Sequence, residues 1–263
     1  MLLSIVVPVY NEAGNIKLLL EKIAEALRGI TYEVIFVDDS TDETPMVILK
    51  VAAKSSAEIR LEHRENEKGL ATAVVRGFGL ATGDFIAIMD ADLQHPPQIL
   101  RSMYCAMLAD ADVCIPSRFV PGGSDGGLNV YRKLVSAAAR YIGKTMIYNL
   151  RHISDPTSGL FMIRRNMLDG ADLRPIGWKI CVEVMAICSY SKVIQIPYVF
   201  QKRNQGKSKL SMEVTGAYLK QLFMLLPRMR KNKKISVETW GNITLNERLK
   251  DLENKEESAL EKI

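Results

Sequence analysis

Apolar residues in the first half of the chain follow two alternating patterns. Continuous runs of strand length occur at LLSIVVPV, YEVIFV, DFIAIM and DVCIPS, with a weaker run at AEIRLEH. Between the first two runs, apolar residues recur at helical spacing at Ile16, Leu19, Leu20, Ile23 and Leu27. Continuous apolar strands that alternate with amphipathic helices are typical of a parallel sheet covered on both faces. We therefore predict an α/β fold with a mostly parallel central sheet.

The second half of the chain is less regular. Its predicted elements are a glycine-rich loop at 120–129, a helix at 131–150, a turn at SDPTSG, a strand at LFMIRR, a helix at 178–189, a strand at KVIQIPYVF, a polar loop at QKRNQGKSK and a helix at 212–226. After Pro227 the chain is basic, and from about Ile235 it carries many charges of both signs, which predicts a solvated helix or disorder. We expect one main domain at 1–227 and a charged tail at 228–263.

The composition permits a large core and excludes few functions. Hydrophobic residues make up 48% of the 263 residues, and a net charge of +5 does not by itself indicate nucleic-acid binding. The four cysteines show no C-x-x-C pair, which favours reduced structural thiols in a cytosolic protein over a zinc site. The N-terminus lacks the pattern of a signal peptide, and no window reaches the ~18 apolar residues of a membrane span. At a membrane, the protein would therefore lie on the surface or be held by a partner.

Polar residues follow several predicted strands at the point where each strand ends. In open α/β sheets, ligands bind outside the carboxyl ends of the strands. One edge of the sheet is therefore expected to collect Tyr10, Asn11, Glu12, Asp38, Asp39, Asp90, Asp92 and Arg118.

Two carboxylates separated by one residue follow the apolar run FIAIM. If the chain stays extended, Asp90 and Asp92 point the same way and can share one cation. Carboxylate oxygens suit Mg²⁺ or Mn²⁺, and such metals are often bound together with substrate phosphates. The alternative is structural, with Asp90 in a turn and Asp92 capping the next helix.

The acidic pair at Asp38 and Asp39 also has two interpretations. An acidic residue in this position can accept hydrogen bonds from a base or a ribose. Ser40 or Thr41 can equally cap the helix that begins near Pro45. We expect both, with Asp39 functional and residues 40–43 structural.

Basic residues in or beside loops complement these carboxylates. They are Arg118, Arg132, Arg203, Lys207 and Lys209. Arginine binds phosphate oxygens through two parallel hydrogen bonds, although a single basic residue is more often a solvated surface charge. Together with Asp90 and Asp92, these residues suggest two anionic ligands, one neutralised by a metal and the other by arginine.

Two helices suggest contact with a lipid. The helix at 131–150 carries a polar stripe of Arg132, Ser136, Arg140 and Gly143 or Lys144 on an otherwise apolar surface. This stripe can hold a phosphate whose apolar tail runs along the helix, or the helix can be a core element with a solvated edge. The apolar helix at 212–226 precedes RMRKNKK, which favours an anionic membrane surface or is a simple charged tail.

Nine segments now form a recognisable series. In order they are IVVPVYNE, EVIFVDDSTDET, EKGLATAVVRGF, ATGDFIAIMDADLQHPP, IPSRFVPGG, VYRKLVS, SDPTSGLFMIRR, PIGWKICVEV and NQGKSKLS. This series resembles the dolichol-phosphate mannosyltransferases, the polyprenyl-phosphate branch of the family 2 inverting glycosyltransferases, which have a GT-A fold. The resemblance covers about Leu3 to Leu226. VDDST is one residue shorter than in many members, which leaves both Asp38 and Asp39 as candidates to read the base.

The resemblance implies a role for individual residues. The donor nucleotide would contact Pro8, Tyr10, Glu12, Asp39, Lys68 and Gly69. Mg²⁺ or Mn²⁺ and the donor diphosphate would be bound by Asp90, Asp92 and Gln94. The acceptor phosphate would be held by Arg118, Arg132 and Ser136. The loop residues that close on the phosphates would be Arg203 and Lys209. The catalytic residues would then be Asp90, Asp92, Arg118 and Arg132.

The implied reaction moves mannose from GDP-mannose to dolichyl or another polyprenyl phosphate, at the cytoplasmic face of a membrane. The enzyme would be peripheral, with a membrane-anchoring protein as a candidate partner. A phosphate monoester has its second pKa near ~6, so the acceptor needs no general base, and Glu183 is only a fallback candidate. A hexosyltransferase that uses a UDP-sugar, such as UDP-glucose, is an alternative. A nucleotidyltransferase is disfavoured by VYNE after the first strand, and a non-catalytic nucleotide-sugar-binding protein by the intact D-x-D.

Overall fold

A computed structural model describes residues 1–127, 130–201, 212–232 and 234–260. In this part of the chain the strands are β1 (Leu3–Val9), β2 (Tyr32–Asp38), β3 (Glu58–His63), β4 (Phe85–Ile88), β5 (Val113–Ser117), β6 (Phe161–Arg164), β7 (Lys192–Pro197) and β8 (Ser236–Thr239). The α-helices are α1 (Ala13–Ala26), α2 (Thr44–Ala52), α3 (Leu70–Leu80), α4 (Ile99–Leu108), α5 (Val130–Met146), α6 (Ile180–Ile187), α7 (Met212–Leu225) and α8 (Asn242–Leu260). The predicted alternation of strands and helices is confirmed.

The strands form one sheet in the order β3-β2-β1-β4-β6-β5-β7-β8. β6 runs antiparallel to its neighbours β4 and β5, and every other pairing in this sheet is parallel. The prediction of a mostly parallel sheet is therefore confirmed. The carboxyl ends of β1, β2 and β4 meet at one edge, which is where a ligand is expected to bind.

Helices cover both faces of the sheet, because successive side chains of a strand point to opposite faces. In β1, Ile5 and Val7 belong to a buried cluster with residues of α1, α2, α4 and α8. Val6 belongs to a second cluster with residues of α3, α6 and α7. The sheet is thus the middle layer of a three-layer α/β structure with a core on each side.

The start of α2 and the end of α5 differ from the prediction. α2 begins at Thr44, and the side chain that accepts its backbone N–H is Asp42, at 3.0 Å. Ser40 does not cap this helix, because its hydroxyl donates to Asp38 instead. The helix expected at 131–150 ends at Met146, and a short 3-10 turn follows.

The charged tail packs against the rest of the fold over part of its length. β8 pairs in parallel with β7, and Trp240 and Leu245 are buried in the first core beside α4. Most of α8 is exposed, as expected of a solvated helix. The expectation of full solvation or disorder is wrong for the start of the tail, because β8 extends the sheet and two apolar residues after it pack into the core. The predicted boundary of the catalytic domain at residue 227 stays a prediction.

The side-chain chemistry outside the sheet edge is simple. The four cysteines are free and buried. Among the described residues, no helix has both the length and the hydropathy needed to cross a membrane.

Candidate functional site

A cleft of about 410 Å³ opens beyond the ends of β1, β2 and β4. It is lined by Pro8, Val9, Tyr10, Glu12, Asp39, Lys68, Gly69, Leu70, Ala73, Asp90, Ala91, Asp92 and Trp178. The lining contains all six residues implied for the donor nucleotide and two of the three implied for the metal. The fold therefore brings these residues together, while their roles stay predictions.

The loop after β1 is held by the loop after β2. Asn11 adopts a positive φ of 56°, and its backbone N–H donates to Ser40 Oγ at 2.8 Å. In return, the backbone N–H of Thr41 donates to Asn11 Oδ1 at 2.9 Å. These bonds fix the backbone between Tyr10 and Glu12, so both residues are presented to the cleft.

Asp39 is buried at the cleft wall and binds Arg64 through both carboxylate oxygens. Arg64 Nε and Nη2 lie 2.8 and 2.7 Å from Asp39 Oδ1 and Oδ2, and both side chains are almost fully buried. Asp39 Oδ2 also accepts the backbone N–H of Gly69 at 2.8 Å. Gly69 has a φ of +125°, a conformation that residues other than glycine rarely adopt. Asp39 therefore positions the turn that carries Lys68, in addition to facing the cleft.

Asp38 occupies a different environment. Its side chain is fully buried, with Oδ2 at 2.6 Å from His63 Nδ1 and Oδ1 bound to Ser40. Asp38 is not part of the cleft lining, whereas Asp39 is. Of the two aspartates that the shortened VDDST segment left as candidates, the fold thus presents Asp39.

Asp90 and Asp92 reach the same cleft from a turn. β4 ends at Ile88, and residues 91 and 92 lie in a turn, so the two carboxylates are not carried by one extended strand as the sequence suggested. Asp92 is nearly buried, whereas Asp90 is 38% exposed. Two carboxylates on one cleft wall are a donor set that fits Mg²⁺ or Mn²⁺ when substrate oxygens complete the coordination.

Gln94 lies beside this pair but outside the cleft lining. Its backbone N–H donates to Asp92 Oδ1 at 3.0 Å, and its side-chain amide donates to the Gln201 carbonyl oxygen at 3.4 Å. Among the described residues, no three His, Cys, Asp or Glu side chains converge on one point. A metal here would therefore depend on the two aspartates, with Gln94 as a neighbour whose metal contact stays a prediction.

His95 is a buried wall behind Asp90. Its ring stacks on Tyr198 and meets the edge of Phe200, with ring centroids 5.6 and 5.3 Å apart. Burial lowers the pKa of His95 to about 4, so the ring is neutral at neutral pH. Its Nε2 lies 3.8 Å from Asp90 Oδ2, so the neutral ring packs against this carboxylate and does not form an ion pair with it.

Arg118 is engaged by a carboxylate that the sequence analysis did not single out. Its Nε and Nη2 donate to Asp155 at 2.7 and 3.0 Å, and Asp155 is fully buried. Burial alone would lower the pKa of Arg118, but the Asp155 carboxylate more than offsets this and raises it. Arg118 also lies over the rings of Phe119 and Phe200. The predicted phosphate contact of Arg118 therefore has to be made by a guanidinium that already binds Asp155.

The structure describes only some of the remaining residues that were predicted to bind the acceptor. Arg132 belongs to α5, but its side chain lies outside the described residues. Ser136 is half-buried one turn further along, and Arg140 stacks on the Phe119 ring at 3.8 Å. The predicted loop cations Arg203, Lys207 and Lys209 all fall within 202–211, outside the described residues.

Comparison with known proteins identifies the family. The family model described as "Glycosyl transferase family 2" matches residues 4–170, which include the whole cleft lining except Trp178. The chain belongs to this family. It is a glycosyltransferase, and its layered, mostly parallel sheet is a GT-A fold.

Among curated relatives, the dolichol-phosphate mannosyltransferase of Pyrococcus furiosus is 37% identical over 94% of this chain and 71% of its own length. The enzyme of the same name from Saccharomyces cerevisiae is 33% identical over 83% of this chain and 85% of its own. A polyprenol monophosphomannose synthase of Mycolicibacterium smegmatis is 31% identical over 79% and 80%. The resemblance read from the nine sequence segments is thus confirmed.

Solved structures agree with the fold. Glucosyl-3-phosphoglycerate synthase from Mycobacterium tuberculosis superposes with a TM-score of 0.62 at 18% identity, covering 85% of this chain and 78% of that one. Mannosyl-3-phosphoglycerate synthase from Rubrobacter xylanophilus gives 0.61 at 19%, covering 88% and 77%.

The sequence analysis missed one aromatic residue of the cleft lining, Trp178, and three charged residues near the site, Lys179, Arg64 and Asp155. Trp178 lines the cleft, Lys179 follows it, and Arg64 and Asp155 bind Asp39 and Arg118. Trp178, Lys179 and Asp155 lie in two of the segments that carried the family resemblance, which was the available signal. Arg64 had no comparable signal, because only the fold brings it to Asp39.

Proposed function

We propose that this glycosyltransferase moves mannose from GDP-mannose to dolichyl or another polyprenyl phosphate, with inversion at the sugar C1. The observation that carries the proposal is the single cleft that joins the six implied donor residues to Asp90 and Asp92. The names of the curated relatives, dolichol-phosphate mannosyltransferase and polyprenol monophosphomannose synthase, support mannose as the sugar and a polyprenyl phosphate as the acceptor.

The donor nucleotide is proposed to bind against the ends of β1 and β2. The contacting residues would be Pro8, Tyr10, Glu12, Asp39, Lys68 and Gly69. The ion pair between Asp39 and Arg64 supports this assignment, because it holds the turn at Lys68 next to the cleft. A turn fixed before the ligand arrives lowers the entropic cost of binding.

The donor diphosphate is proposed to bind at Asp90 and Asp92 together with Mg²⁺ or Mn²⁺, with Gln94 as a further ligand. Structures of glucosyl-3-phosphoglycerate synthase, which has the same fold, hold Mn²⁺ or Mg²⁺ together with UDP. A bound divalent metal would supply Lewis-acid stabilisation of the departing diphosphate. Asp90 and Asp92 would hold it, and buried His95 would keep the Asp90 carboxylate in place.

The acceptor phosphate is proposed to bind Arg118, Arg132 and Ser136, while Arg203 and Lys209 close over both phosphates. The positive charges of Arg132, Arg203 and Lys209 would offset the repulsion between two anionic ligands. Together with the hydrogen-bond donors of Arg118, they would orient the acceptor for in-line attack. The phosphate oxygen is already a nucleophile at neutral pH, so no side chain needs to remove a proton. Glu183 is unsuited to that task, because it is buried and accepts hydrogen bonds from Arg174 N, Gln221 and Arg228.

The protein is proposed to work as a peripheral enzyme on the cytoplasmic face of a membrane, with a membrane-anchoring protein as a possible partner. The supporting feature is apolar exposure on α5 and α7, which pack together through Tyr218 and Ala139. Exposed apolar side chains in and beside these helices are Leu134, Tyr141, Ile142, Tyr148, Leu219, Phe223, Met224 and Leu226. Lys144 and Lys220 lie in the same helices and favour an anionic surface.

The function is tested with a panel of radiolabelled nucleotide-sugars and polyprenyl phosphate. Label in the lipid extract is measured with Mg²⁺, with Mn²⁺ and with a chelator. We expect label from GDP-mannose, lost with the chelator and lost in Asp92→Ala. Label from a UDP-sugar instead would identify a different hexosyltransferase, and full activity of Asp92→Ala would remove the metal assignment.

The division between donor and acceptor sites is tested with Arg132→Ala. This variant should weaken the use of polyprenyl phosphate while the dissociation constant for GDP stays unchanged. Equal loss of acceptor use and GDP binding would contradict the proposed separation of the two sites.

A further inference from the structure

One turn of the chain contacts three charged groups of the site at once. It is the segment Asp155–Gly159, part of the SDPTSG stretch that sequence analysis treated only as a turn. Asp155 binds Arg118, and the carbonyl oxygen of Thr157 accepts a hydrogen bond from Lys179 Nζ at 3.1 Å. At Gly159 the backbone approaches Asp90 so closely that an added Cβ would lie 2.9 Å from Asp90 Oδ2.

This turn therefore fixes the positions of two cations relative to one carboxylate of the cleft. Arg118 is implicated in the acceptor site and Asp90 in the donor diphosphate site, whereas Lys179 has no role in the reaction as described so far. Lys179 lies at the N-terminal end of α6, immediately after Trp178, which lines the cleft. The charges that act on Lys179 most strongly are those of Arg118, Asp155 and Asp90.

The charge of Arg118 is largely neutralised within the protein. Its guanidinium and the Asp155 carboxylate form a bidentate pair, with both side chains at least nine-tenths buried. The pair has no net charge, so by itself it provides little attraction for a phosphate that carries about two negative charges.

Lys179 is in the opposite situation. Among the described residues, none places a carboxylate within ion-pair distance of its Nζ, which donates to the neutral carbonyl oxygen of Thr157. Loss of hydration lowers the pKa of Lys179, and the nearby Arg118 charge lowers it further. A partly buried ammonium group with three N–H donors and one neutral acceptor is suited to binding an anionic ligand.

We propose that Lys179 is a further catalytic residue, whose ammonium group contacts phosphate oxygens between Asp90 and the Arg118–Asp155 pair. This inference rests on the proposed function. In the transfer, an acceptor phosphate oxygen forms a bond to the sugar C1, and the bond from C1 to the donor diphosphate breaks with both electrons. The departing diphosphate gains one negative charge, which Lys179 stabilises while it keeps its own proton.

The Asp155–Gly159 turn acts as the positioning element for Lys179. Because the same five residues hold Arg118, Lys179 and Asp90, the distances between the two phosphate sites are set by one short piece of backbone. Preorganised charges of this kind need no rearrangement during the reaction, which makes them effective in stabilising a transition state.

The test compares Lys179→Met and Lys179→Arg with the unaltered protein. The control is Lys192→Met, which removes a lysine at the opposite end of the sheet. Lys192 also donates to a backbone carbonyl at 3.1 Å, and in addition it pairs with Glu238 at 3.2 Å. The measured quantities are kcat, KM for GDP-mannose and for polyprenyl phosphate, GDP affinity and the midpoint of thermal unfolding.

We expect Lys179→Met to lower kcat roughly 100-fold, the usual effect of removing one preorganised charge stabiliser. GDP should bind more weakly to Lys179→Met, because GDP carries the diphosphate charge that Lys179 stabilises, while the unfolding midpoint should change little. Lys179→Arg should recover part of kcat, and Lys192→Met should retain the full kcat. This pattern would support a catalytic contact, because a structural role would not be rescued by charge alone.

Two results would overturn this inference while leaving the proposed function intact. One is a kcat for Lys179→Met within about twofold of that of the active unaltered protein. The other is a loss of kcat matched by a loss of folding in both Lys179 variants, which would make the lysine structural. If the unaltered protein transfers no sugar to polyprenyl phosphate, the proposed function itself fails, and the two failures are thereby distinguished.

Discussion

The ion pair between Asp39 and Arg64 permits a quantitative prediction. Replacing Asp39 with asparagine keeps the shape of the side chain but removes its charge. In the structure, the two side chains are only 7% and 6% exposed, and two charge-assisted hydrogen bonds of 2.7 and 2.8 Å join them. Asp39→Asn therefore leaves a buried guanidinium whose remaining counter-charge is the exposed carboxylate of Glu67, at 3.4 Å from Arg64 Nη1.

The expected cost follows from this burial. Removing one partner of a buried ion pair destabilises a protein by about 3–5 kcal/mol, because the remaining charge stays desolvated. Arg64 keeps hydrogen bonds to Thr72 Oγ1 and to the Gly69 carbonyl oxygen, and it keeps its ion pair with exposed Glu67, so we expect the lower end, about 3 kcal/mol. The exposed pair Lys17–Glu21, at 3.8 Å, is the matched control, and Glu21→Gln should cost less than about 0.5 kcal/mol.

Urea denaturation measures the free energy of unfolding, and calorimetric titration measures GDP affinity. We expect GDP to bind about tenfold more weakly to Asp39→Asn, equivalent to about 1.4 kcal/mol, because the Gly69 N–H loses a charged acceptor. A second variant that combines Asp39→Leu with Arg64→Met should be more stable than Asp39→Asn, because no buried charge is left unpaired.

A destabilisation of Asp39→Asn below about 1 kcal/mol would refute this reasoning, since the buried guanidinium would then have found other compensation. A double variant less stable than Asp39→Asn would contradict the claim that the unpaired charge dominates the cost. Unchanged GDP affinity with the expected loss of stability would show that neither the Asp39 charge nor the Gly69 turn is needed for the nucleotide.

Three further predictions concern other parts of the fold. Trp178→Ala removes an aromatic side chain that lines the cleft. It should raise the KM for the donor roughly 3–10-fold, because about 1 kcal/mol of contact with the ring is lost. A KM equal to that of the unaltered protein would show that the ring does not touch the donor. Phe223→Glu places a negative charge on an exposed apolar position of α7 and should reduce sedimentation with anionic vesicles without changing the unfolding midpoint; undiminished sedimentation would place the membrane contact elsewhere. Burial acts to raise the pKa of Glu33, but hydrogen bonds from Ser4, Thr82 and Arg60 outweigh it and lower that pKa. The stability that Glu33 contributes should therefore be complete above its ordinary value of 4.5 and be lost as pH falls through the lowered pKa, and an equally steep acid loss in Glu33→Gln would contradict this assignment.

The network around Glu183 connects two regions that the reaction would have to coordinate. Gln221 of α7 donates to Glu183 Oε2 at 3.2 Å and to the carbonyl oxygen of Lys179 at 3.4 Å. Arg228, just after α7, also binds Glu183. The helix with exposed apolar residues is thus joined directly to the segment that holds Trp178 and Lys179 at the cleft.

Much of the fold followed from local patterns in the sequence. Continuous apolar runs predict buried strands, and apolar residues at helical spacing predict the helices that cover them, because these periodicities arise from the backbone geometry itself. The position of Asp90, Asp92 and Asp39 directly after buried strands was sufficient to place them at one edge of a parallel sheet. β8 was missed because a four-residue strand in a highly charged segment has almost no periodicity to detect.

The tertiary structure alone decided which partners these residues have. Asp39 meets Arg64 across 25 residues and Arg118 meets Asp155 across 37, and neither pairing leaves a local pattern in the sequence. The same holds for Thr157 and Lys179, whose contact depends on how a turn packs against the start of a helix. Sequence periodicity records which side of an element is buried, whereas the choice of partner for a buried charge depends on loop paths that only the packed chain determines.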